Sequence, residues 1–295
     1  MSRRDLVAAR LTELLGGDPS GWSQAGVSGG CINSAALWSR GSEQVFLKWN
    51  ERPLPGQFAA EAAGLEALRA ADSGLVVPAP LAWSDEGPGR SFLALEYVPE
   101  GRREPDFDEA LGRGLAALHR QSEPRGFGFE VDGYCGATPQ PNAWRATWLE
   151  FYGELRLEHQ LRLAGARGLG PSALADGARV VARLGELIGP PEPSSLVHGD
   201  LWSGNLHTSS EGRPGLIDPA AYYGHREAEL GMMVLFGGFG GTSGRVFEAY
   251  DEAYPLAPGW RERLELYTLY HVLNHYVLFG GSYGGQAAQI MARFR

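Results

Sequence analysis

Residues 198–205 (HGDLWSGN) place Asp200 and Asn205 five positions apart. A carboxylate within hydrogen-bond reach of an attacking hydroxyl can accept its proton. A neutral amide oxygen can ligate Mg²⁺ without adding negative charge. Asp218 follows a short apolar run thirteen residues later and offers a second hard oxygen ligand. The spacing predicts a general base beside a magnesium site, although Asp, Ser, Gly and Asn are also simply turn formers.

Lys48 is the only lysine among the 26 basic side chains, and it lies within the apolar run 46–49. A bare ammonium is costly there unless it is paired. Glu61, thirteen residues later on a predicted helix, can supply the partner. In protein kinases a helix glutamate positions a strand lysine on the ATP phosphates, and their catalytic loop has the same Asp-to-Asn spacing of five. The alternative is a surface salt bridge of little energetic value.

A glycine-containing turn, residues 28–30, lies between two predicted strands upstream of Lys48. Backbone amides at Gly29 and Gly30 could approach a polyphosphate closely because no Cβ intervenes. The signal is weak on its own, since the chain has 42 glycines and most glycine pairs are turns. Cys31, directly after the turn, is either a small packing residue or a reactive thiol.

Strand and helix signals divide the chain into two regions. Before residue 99 we predict a short helix that presents Leu6, Ala9, Leu11, Leu14 and Leu15 on one face, a second helix at 58–70, and strands at 22–27, 34–39, 44–49, 81–84 and 92–98. The polar segment 99–105 follows. Beyond it helical patterns dominate, at 108–120, 142–166, 171–188, 225–236, 245–254, 259–279 and 286–294. The expected fold class is α+β, with a small β-rich lobe (1–99), a larger α-rich lobe (100–295) and a ligand cleft between them.

Composition narrows the partners. A net charge of −9 disfavours binding to nucleic acid or to an anionic membrane surface.

Two cysteines exclude a disulfide-dense secreted scaffold and favour a reducing compartment, and the N-terminus lacks the apolar segment of a signal peptide. The uncharged stretch 266–292 is broken by His, Asn, Gln and Gly-Gly pairs, which favours buried helices over a membrane span. We therefore expect a cytoplasmic protein, and structural roles for His271 and His275.

Longer motifs identify a family resemblance. They are residues 134–142 (YCGATPQPN), 148–152 (WLEFY), 198–205, 217–230 (IDPAAYYGHREAEL), 235–239 (LFGGF) and 269–275 (LYHVLNH). Together they resemble the fructosamine kinase family, within the wider group of aminoglycoside-phosphotransferase-like kinases. The resemblance implies a bilobal protein-kinase-like fold. It also implies ATP-dependent phosphorylation of the 3-hydroxyl of ketoamines, such as ribulosamines or fructosamines, whose 3-phosphates decompose and release the amine.

The resemblance also assigns roles to residues. Asp200 would deprotonate the sugar hydroxyl, while Asn205 and Asp218 would hold Mg²⁺. The nucleotide would meet Gly29 and Gly30, Lys48 fixed by Glu61, and the backbone of a hinge at Glu96 and Val98. Trp202 would stack on the sugar and Glu229 is a second candidate for substrate contact, although a helix-dipole role is equally open to it. Cys31 could act as a redox switch or support a disulfide-linked dimer of an otherwise monomeric chain.

Two alternatives stay open on the sequence. A kinase of the same fold could act on an aminoglycoside or a choline-like alcohol. A non-catalytic nucleotide-binding module is the alternative of another class, and it would be expected to lack Asp200, Asn205 or Asp218, all of which are present. Free ketoamines and glycated proteins are both possible acceptors of a ketoamine kinase.

Overall fold

The computed structural model describes residues 2–26, 33–237 and 243–295. Near the N-terminus five strands form an antiparallel sheet in the order β1-β2-β3-β5-β4. Their bounds are β1 Ser23–Gly26, β2 Ser34–Arg40, β3 Glu43–Trp49, β4 Pro80–Ser84 and β5 Phe92–Glu96. The predicted strands all appear in the described part of the chain, with ends shifted by one or two residues.

Alternation along β3 decides what faces the cleft. Val45 and Leu47 are buried in a small core between the sheet and the first helix. Phe46 and Lys48, on the opposite side of the strand, line the cleft. Because successive side chains on a strand point to opposite faces, the apolar residues that anchor the sheet also direct the lysine toward the ligand space.

Helices predominate in the later part of the chain. The helices, in chain order, are α1 Arg3–Leu15, α2 Gln57–Ala70, α3 Phe107–His119, α4 148–167, α5 Pro171–Ala182, α6 Leu184–Leu187, α7 Arg226–Val234, α8 Ser243–Ala253, α9 Trp260–Phe279 and α10 Tyr283–Phe294. Short strand pairs join them: β6 Gly133–Cys135 with β7 Thr138–Gln140, β8 Ser195–Val197 with β11 Tyr222–Gly224, and β9 Leu206–Thr208 with β10 Pro214–Leu216.

The helix predicted from residue 142 begins instead at residue 148. Thr147 caps it, because its side chain accepts from the Glu150 N–H while the Glu150 carboxylate accepts from the Thr147 N–H. Upstream, the backbone of Asn142 and Arg145 pairs with Phe129 and Phe127 and is not available to a helix. The helix then continues through a π-helical segment, Phe151–Glu158. The helix predicted for 171–188 is also divided, by a turn at residue 183.

One large core connects the two regions. Phe58 and Leu65 of α2 and Leu93 of β5 pack into the same apolar cluster as Leu111 of α3 and Tyr222 of β11. The sheet is thereby fixed against the helical part. The predicted boundary at residues 99 and 100 falls between β5 and α3 and stays a prediction. Within the described residues, no helix has the length and apolar character needed to cross a bilayer.

Candidate functional site

The side of the cleft formed by the sheet and α2 is built around Lys48, which is 4% exposed. Its Nζ lies 2.7 Å from Glu61 Oε1 on α2 and 2.8 Å from Asp218 Oδ1. Burial opposes the charged lysine, but the two carboxylates outweigh it and hold its pKa above the ordinary value. The structure therefore brings the two predicted partners together and adds a third, Asp218, which lies 170 residues away along the chain.

The cleft between sheet and helices has a volume of about 700 Å³. Glu96 and Val98 lie along one wall. The Glu96 carboxylate is turned away to the Ala79 N–H (3.1 Å), so only the Glu96 backbone faces a ligand in the manner expected of a hinge. A ring N–H of His207 on β9 donates to the Val98 carbonyl at 3.0 Å and fixes this wall to the catalytic side.

Residues 198–205 form a loop between β8 and β9 that is tied down from several directions. The His198 Nε2–H donates to the Ile217 carbonyl (2.8 Å), while its Nδ1 accepts from the Asp200 N–H (3.3 Å). Burial lowers the His198 pKa to about 4, which keeps the ring neutral for both contacts. Gly199 has φ +82°, and a Cβ there would collide with the Ala220 carbonyl. The loop thus needs this glycine to turn.

Asp200 is presented at the end of that turn, with its side chain 20% exposed. Asn205 Nδ2 donates to the Asp200 carbonyl at 2.8 Å and lies 3.4 Å from its Oδ2. Burial, with help from the nearby charges of Glu229 and Asp218, raises the pKa of Asp200 to about 8. A carboxylate in this range can accept a proton near neutral pH, as a general base must.

His271 on α9 lies beside Asp200, a contact that no local sequence pattern predicts. Its Nδ1 is 3.9 Å from Asp200 Oδ1 and, within the described residues, has no hydrogen-bond partner. Burial lowers the His271 pKa to about 3, so the ring is neutral. His275, one turn later, is satisfied through its Nδ1–H and the His271 carbonyl (2.8 Å). The structural role predicted for both histidines therefore fits His275 better than His271.

Glu229 does not contact the cleft, and its predicted substrate role is wrong. Its side chain on α7 is 0% exposed and lies underneath the catalytic loop. One carboxylate oxygen accepts the backbone N–H groups of His198 and Gly199. Burial raises the Glu229 pKa to about 7 even though these hydrogen bonds favour the charged form. The residue positions the loop that carries Asp200 and cannot reach a sugar.

The remaining predicted residues divide into two groups. Trp202 is half-buried and lines the cleft beside Asp200, where a sugar ring could stack on it. Gly29, Gly30 and Cys31 lie outside the described residues. The hairpin β6–β7 was missed by sequence analysis but contributes Tyr134, Gly136 and Gln140 to the wall opposite the sheet. Strands of three residues are too short to leave a periodic signal.

The residues predicted to bind a metal fit a hard divalent cation. Asn205 and Asp218 both line the cleft on the side of Asp200. One amide oxygen and one carboxylate are the donor types that Mg²⁺ takes in phosphate-binding sites. Asp218 has φ +56°, a backbone conformation that is unusual for a residue with a Cβ. The side chain of the same residue contacts Lys48.

Comparison with known proteins decides the family. Residues 5–295 match the family model described as fructosamine kinase. The chain belongs to the fructosamine kinase family. A probable ketoamine kinase from Synechocystis is 42% identical over 266 residues, which cover 90% of this chain and 88% of that protein. A chloroplastic protein-ribulosamine 3-kinase from Oryza sativa subsp. indica is 42% identical over 268 residues, with coverages of 90% and 76%.

Comparison with solved structures indicates the same family. A crystal structure from Thermobifida fusca, assigned provisionally as a fructosamine-3-kinase, has a TM-score of 0.84 at 38% identity and covers 97% of both chains. The aminoglycoside phosphotransferase APH(4)-Ia shares the fold alone, at 15% identity and a TM-score of 0.62. The predicted family and the predicted two-lobed fold are confirmed. As a fructosamine kinase family member, the chain is an ATP-using phosphotransferase that acts on a sugar hydroxyl.

Proposed function

We propose that this fructosamine kinase family member transfers the γ-phosphoryl group of ATP to the 3-hydroxyl of a ribulosamine-type ketoamine, with Asp200 as the general base. The observation that carries the proposal is the position of Asp200, whose side chain is 20% exposed at the cleft and whose carbonyl accepts from Asn205. Similarity to protein-ribulosamine 3-kinases favours ribulosamines among the ketoamines. The aminoglycoside, choline and non-catalytic alternatives are not favoured.

ATP would lie along the sheet side of the cleft. The backbone at Glu96 and Val98 would meet the adenine, with the Val98 N–H as a donor to it while the Val98 carbonyl accepts from His207. The phosphates would reach Lys48, whose charge is secured by Glu61. In this arrangement one buried cation faces the phosphates, and the carboxylate behind it keeps it pointed into the cleft.

Asn205 and Asp218 would hold Mg²⁺. When bound, the ion neutralises the phosphate charge that builds up during transfer. Asp218, the proposed metal ligand, contacts Lys48. The lysine ammonium and an ion held by Asp218 would therefore lie side by side and could act on the same phosphates.

Asp200 would take the proton of the 3-hydroxyl as the sugar oxygen bonds to the γ-phosphorus and the bond between that phosphorus and the ADP oxygen breaks. The raised pKa of Asp200, about 8, suits a group that must accept this proton near neutrality. Trp202 would support the sugar ring and thereby orient the hydroxyl, since catalysis of phosphoryl transfer is mostly positioning. Two statements stay predictions: that the natural acceptors are free ketoamines or glycated proteins, and that the protein works in the cytoplasm.

An acceptor panel tests the proposal. ADP release would be followed with Mg²⁺-ATP and, in turn, ribulosyl-lysine, fructosyl-lysine, an aminoglycoside and choline. We expect release that depends on a ketoamine, with ribulosyl-lysine the best acceptor. Release with the aminoglycoside or choline and none with either ketoamine would overturn the proposal.

A further inference from the structure

A line of aromatic side chains leads outward from Trp202. The ring of Phe236 is 6.2 Å from that of Trp202, and the ring of His275 is 4.9 Å from Phe236. His275 is in turn 5.6 Å from Phe279 and 5.1 Å from Tyr283. We call these five residues the aromatic strip. It starts at the wall of the cleft and continues over α9 and α10 on the outer surface.

The strip is unusually open for its composition. Phe236 is 47% exposed and Phe279 is 55% exposed, two of the highest values for large apolar side chains of the described residues. Phe236 also has φ +63°, a conformation that costs energy in a residue with a Cβ. Exposed apolar surface beside a cleft, with local backbone strain, is typical of ligand-binding surfaces.

Within the described residues, the rings of the strip also carry no cation of the protein itself. Elsewhere on the protein, arginines lie over the rings of Trp22, Trp49 and Trp144 at 4.1–4.6 Å. Within residues 2–26, 33–237 and 243–295, no arginine or lysine stacks on a ring of the strip. His275 adds no positive charge, because burial lowers its pKa. The strip can therefore receive a cation from outside.

We propose that the aromatic strip binds the amine-bearing half of the ketoamine and the apolar groups next to it. This inference rests on the proposed function. With the 3-hydroxyl at Asp200 and the sugar on Trp202, the amine of a ketoamine lies only a few bonds further out and is protonated at neutral pH. Its charge faces Trp202 and Phe236, while the substituents that carry it extend along Phe279 and Tyr283. The strip thus makes the enzyme select among glycated amines, and it favours a glycated lysine with apolar neighbours.

Two ribulosylated peptides test the inference, acetyl-Gly-Lys-Gly-amide and acetyl-Phe-Lys-Phe-amide, each carrying the sugar on the lysine side chain. The readout is the ratio of their kcat/KM values. We expect the wild-type enzyme to favour the Phe-flanked peptide by about threefold to tenfold, the range of aromatic contacts. Phe279→Ser should bring the ratio close to one. Phe236→Gly, which removes the ring and also the cost of the positive φ, should do the same without loss of folding.

Trp83→Ser is the matched control, because Trp83 is 42% exposed and lies on β4, which contributes no residue to the strip. It should keep the wild-type ratio. A wild-type ratio of one, or a ratio that neither strip variant changes, overturns the inference. Failure of the proposed function looks different, since the wild-type enzyme would then release no ADP with ribulosyl-lysine itself.

Discussion

Two buried glutamates hold the two sides of the cleft, and they do so by different means. Glu61, with a side chain 10% exposed, fixes one side chain by accepting from the Lys48 ammonium at 2.7 Å. Glu229, with a side chain 0% exposed, fixes a stretch of backbone by accepting the N–H groups of His198 and Gly199. Glu61 serves the side proposed to bind the nucleotide, and Glu229 serves the side that carries the proposed base.

The difference predicts different consequences of losing each carboxylate. Without Glu61, Lys48 still has Asp218 as a partner. Without Glu229, buried backbone donors lose their acceptor, and an unsatisfied buried group costs the full desolvation penalty. The side with Lys48 is therefore held by charge pairs that can replace one another, whereas the backbone N–H groups of His198 and Gly199 share one carboxylate acceptor.

The largest effect on activity is expected from removing the proposed base alone. Asp200→Asn keeps the shape of the side chain but cannot accept the substrate proton, so kcat should fall by about 10²–10⁴-fold. The Kd of ATP, measured by calorimetry, should stay within about twofold. Near-normal turnover in this variant would remove Asp200 from the mechanism.

A smaller effect is expected on the nucleotide side from Lys48→Arg. The planar guanidinium cannot replace a compact ammonium that touches two carboxylates at 2.7 and 2.8 Å. We expect kcat/KM for ATP to fall on the order of tenfold or more. Arg90→Lys, a swap on the exposed surface, is the control. A wild-type KM for ATP in Lys48→Arg would show that the point charge is not required.

The matched pair Glu61→Gln and Glu229→Gln sharpens the comparison. Glu61→Gln should raise the KM for ATP and change kcat little. Glu229→Gln should lower kcat by about tenfold, which is the expected cost of weakening a hydrogen bond to a charged acceptor, and leave ATP binding unchanged. Steady-state kinetics with ATP as the varied substrate separates the two patterns. The same kinetic change in both variants would contradict the division of roles.

The smallest effect is a pH dependence of stability. Burial raises the folded-state pKa of Glu229 from its ordinary 4.5 to about 7, so folding takes up a proton between these values. The stability that this proton uptake contributes is complete below pH 4.5 and is lost as the pH rises through about 7. The Tm of the wild type relative to Glu229→Gln should therefore decrease from pH 5 to pH 8. A difference that stays constant from pH 5 to pH 8 would mean that Glu229 is charged throughout.

Whether a site residue could be predicted from the sequence depends on whether it contacts another side chain or the backbone. Lys48 and Glu61 could be paired from the sequence because a lone lysine in an apolar strand needs a nearby acid. Asp200 and Asn205 share one short loop, so their spacing is informative. The partners of Glu229 are backbone amides, which leave no mark in the sequence, and this residue was assigned wrongly. The approach of His271 to Asp200 depends on how α9 packs, which no local pattern encodes.

Some elements of the fold could likewise be predicted from the sequence, and others could not. The strands of the sheet were predictable because apolar runs and turn residues alternate clearly there. The start of α4 was not, since the backbone of Asn142 pairs with Phe129 far from any helix signal. The hairpin β6–β7, which contributes to a wall of the cleft, was missed because strands of three residues are too short to leave a periodic signal.

The most direct test of the account is to find where the phosphate goes. Ribulosyl-lysine and Mg²⁺-ATP would be incubated with the wild-type enzyme and with Asp200→Asn, and the products followed by phosphorus NMR. The account predicts ADP and a phosphate ester on the 3-oxygen of the sugar with the wild type, and neither above background with the variant. A phosphate ester on a different hydroxyl, or ADP with inorganic phosphate while the ribulosyl-lysine stays intact, would contradict it.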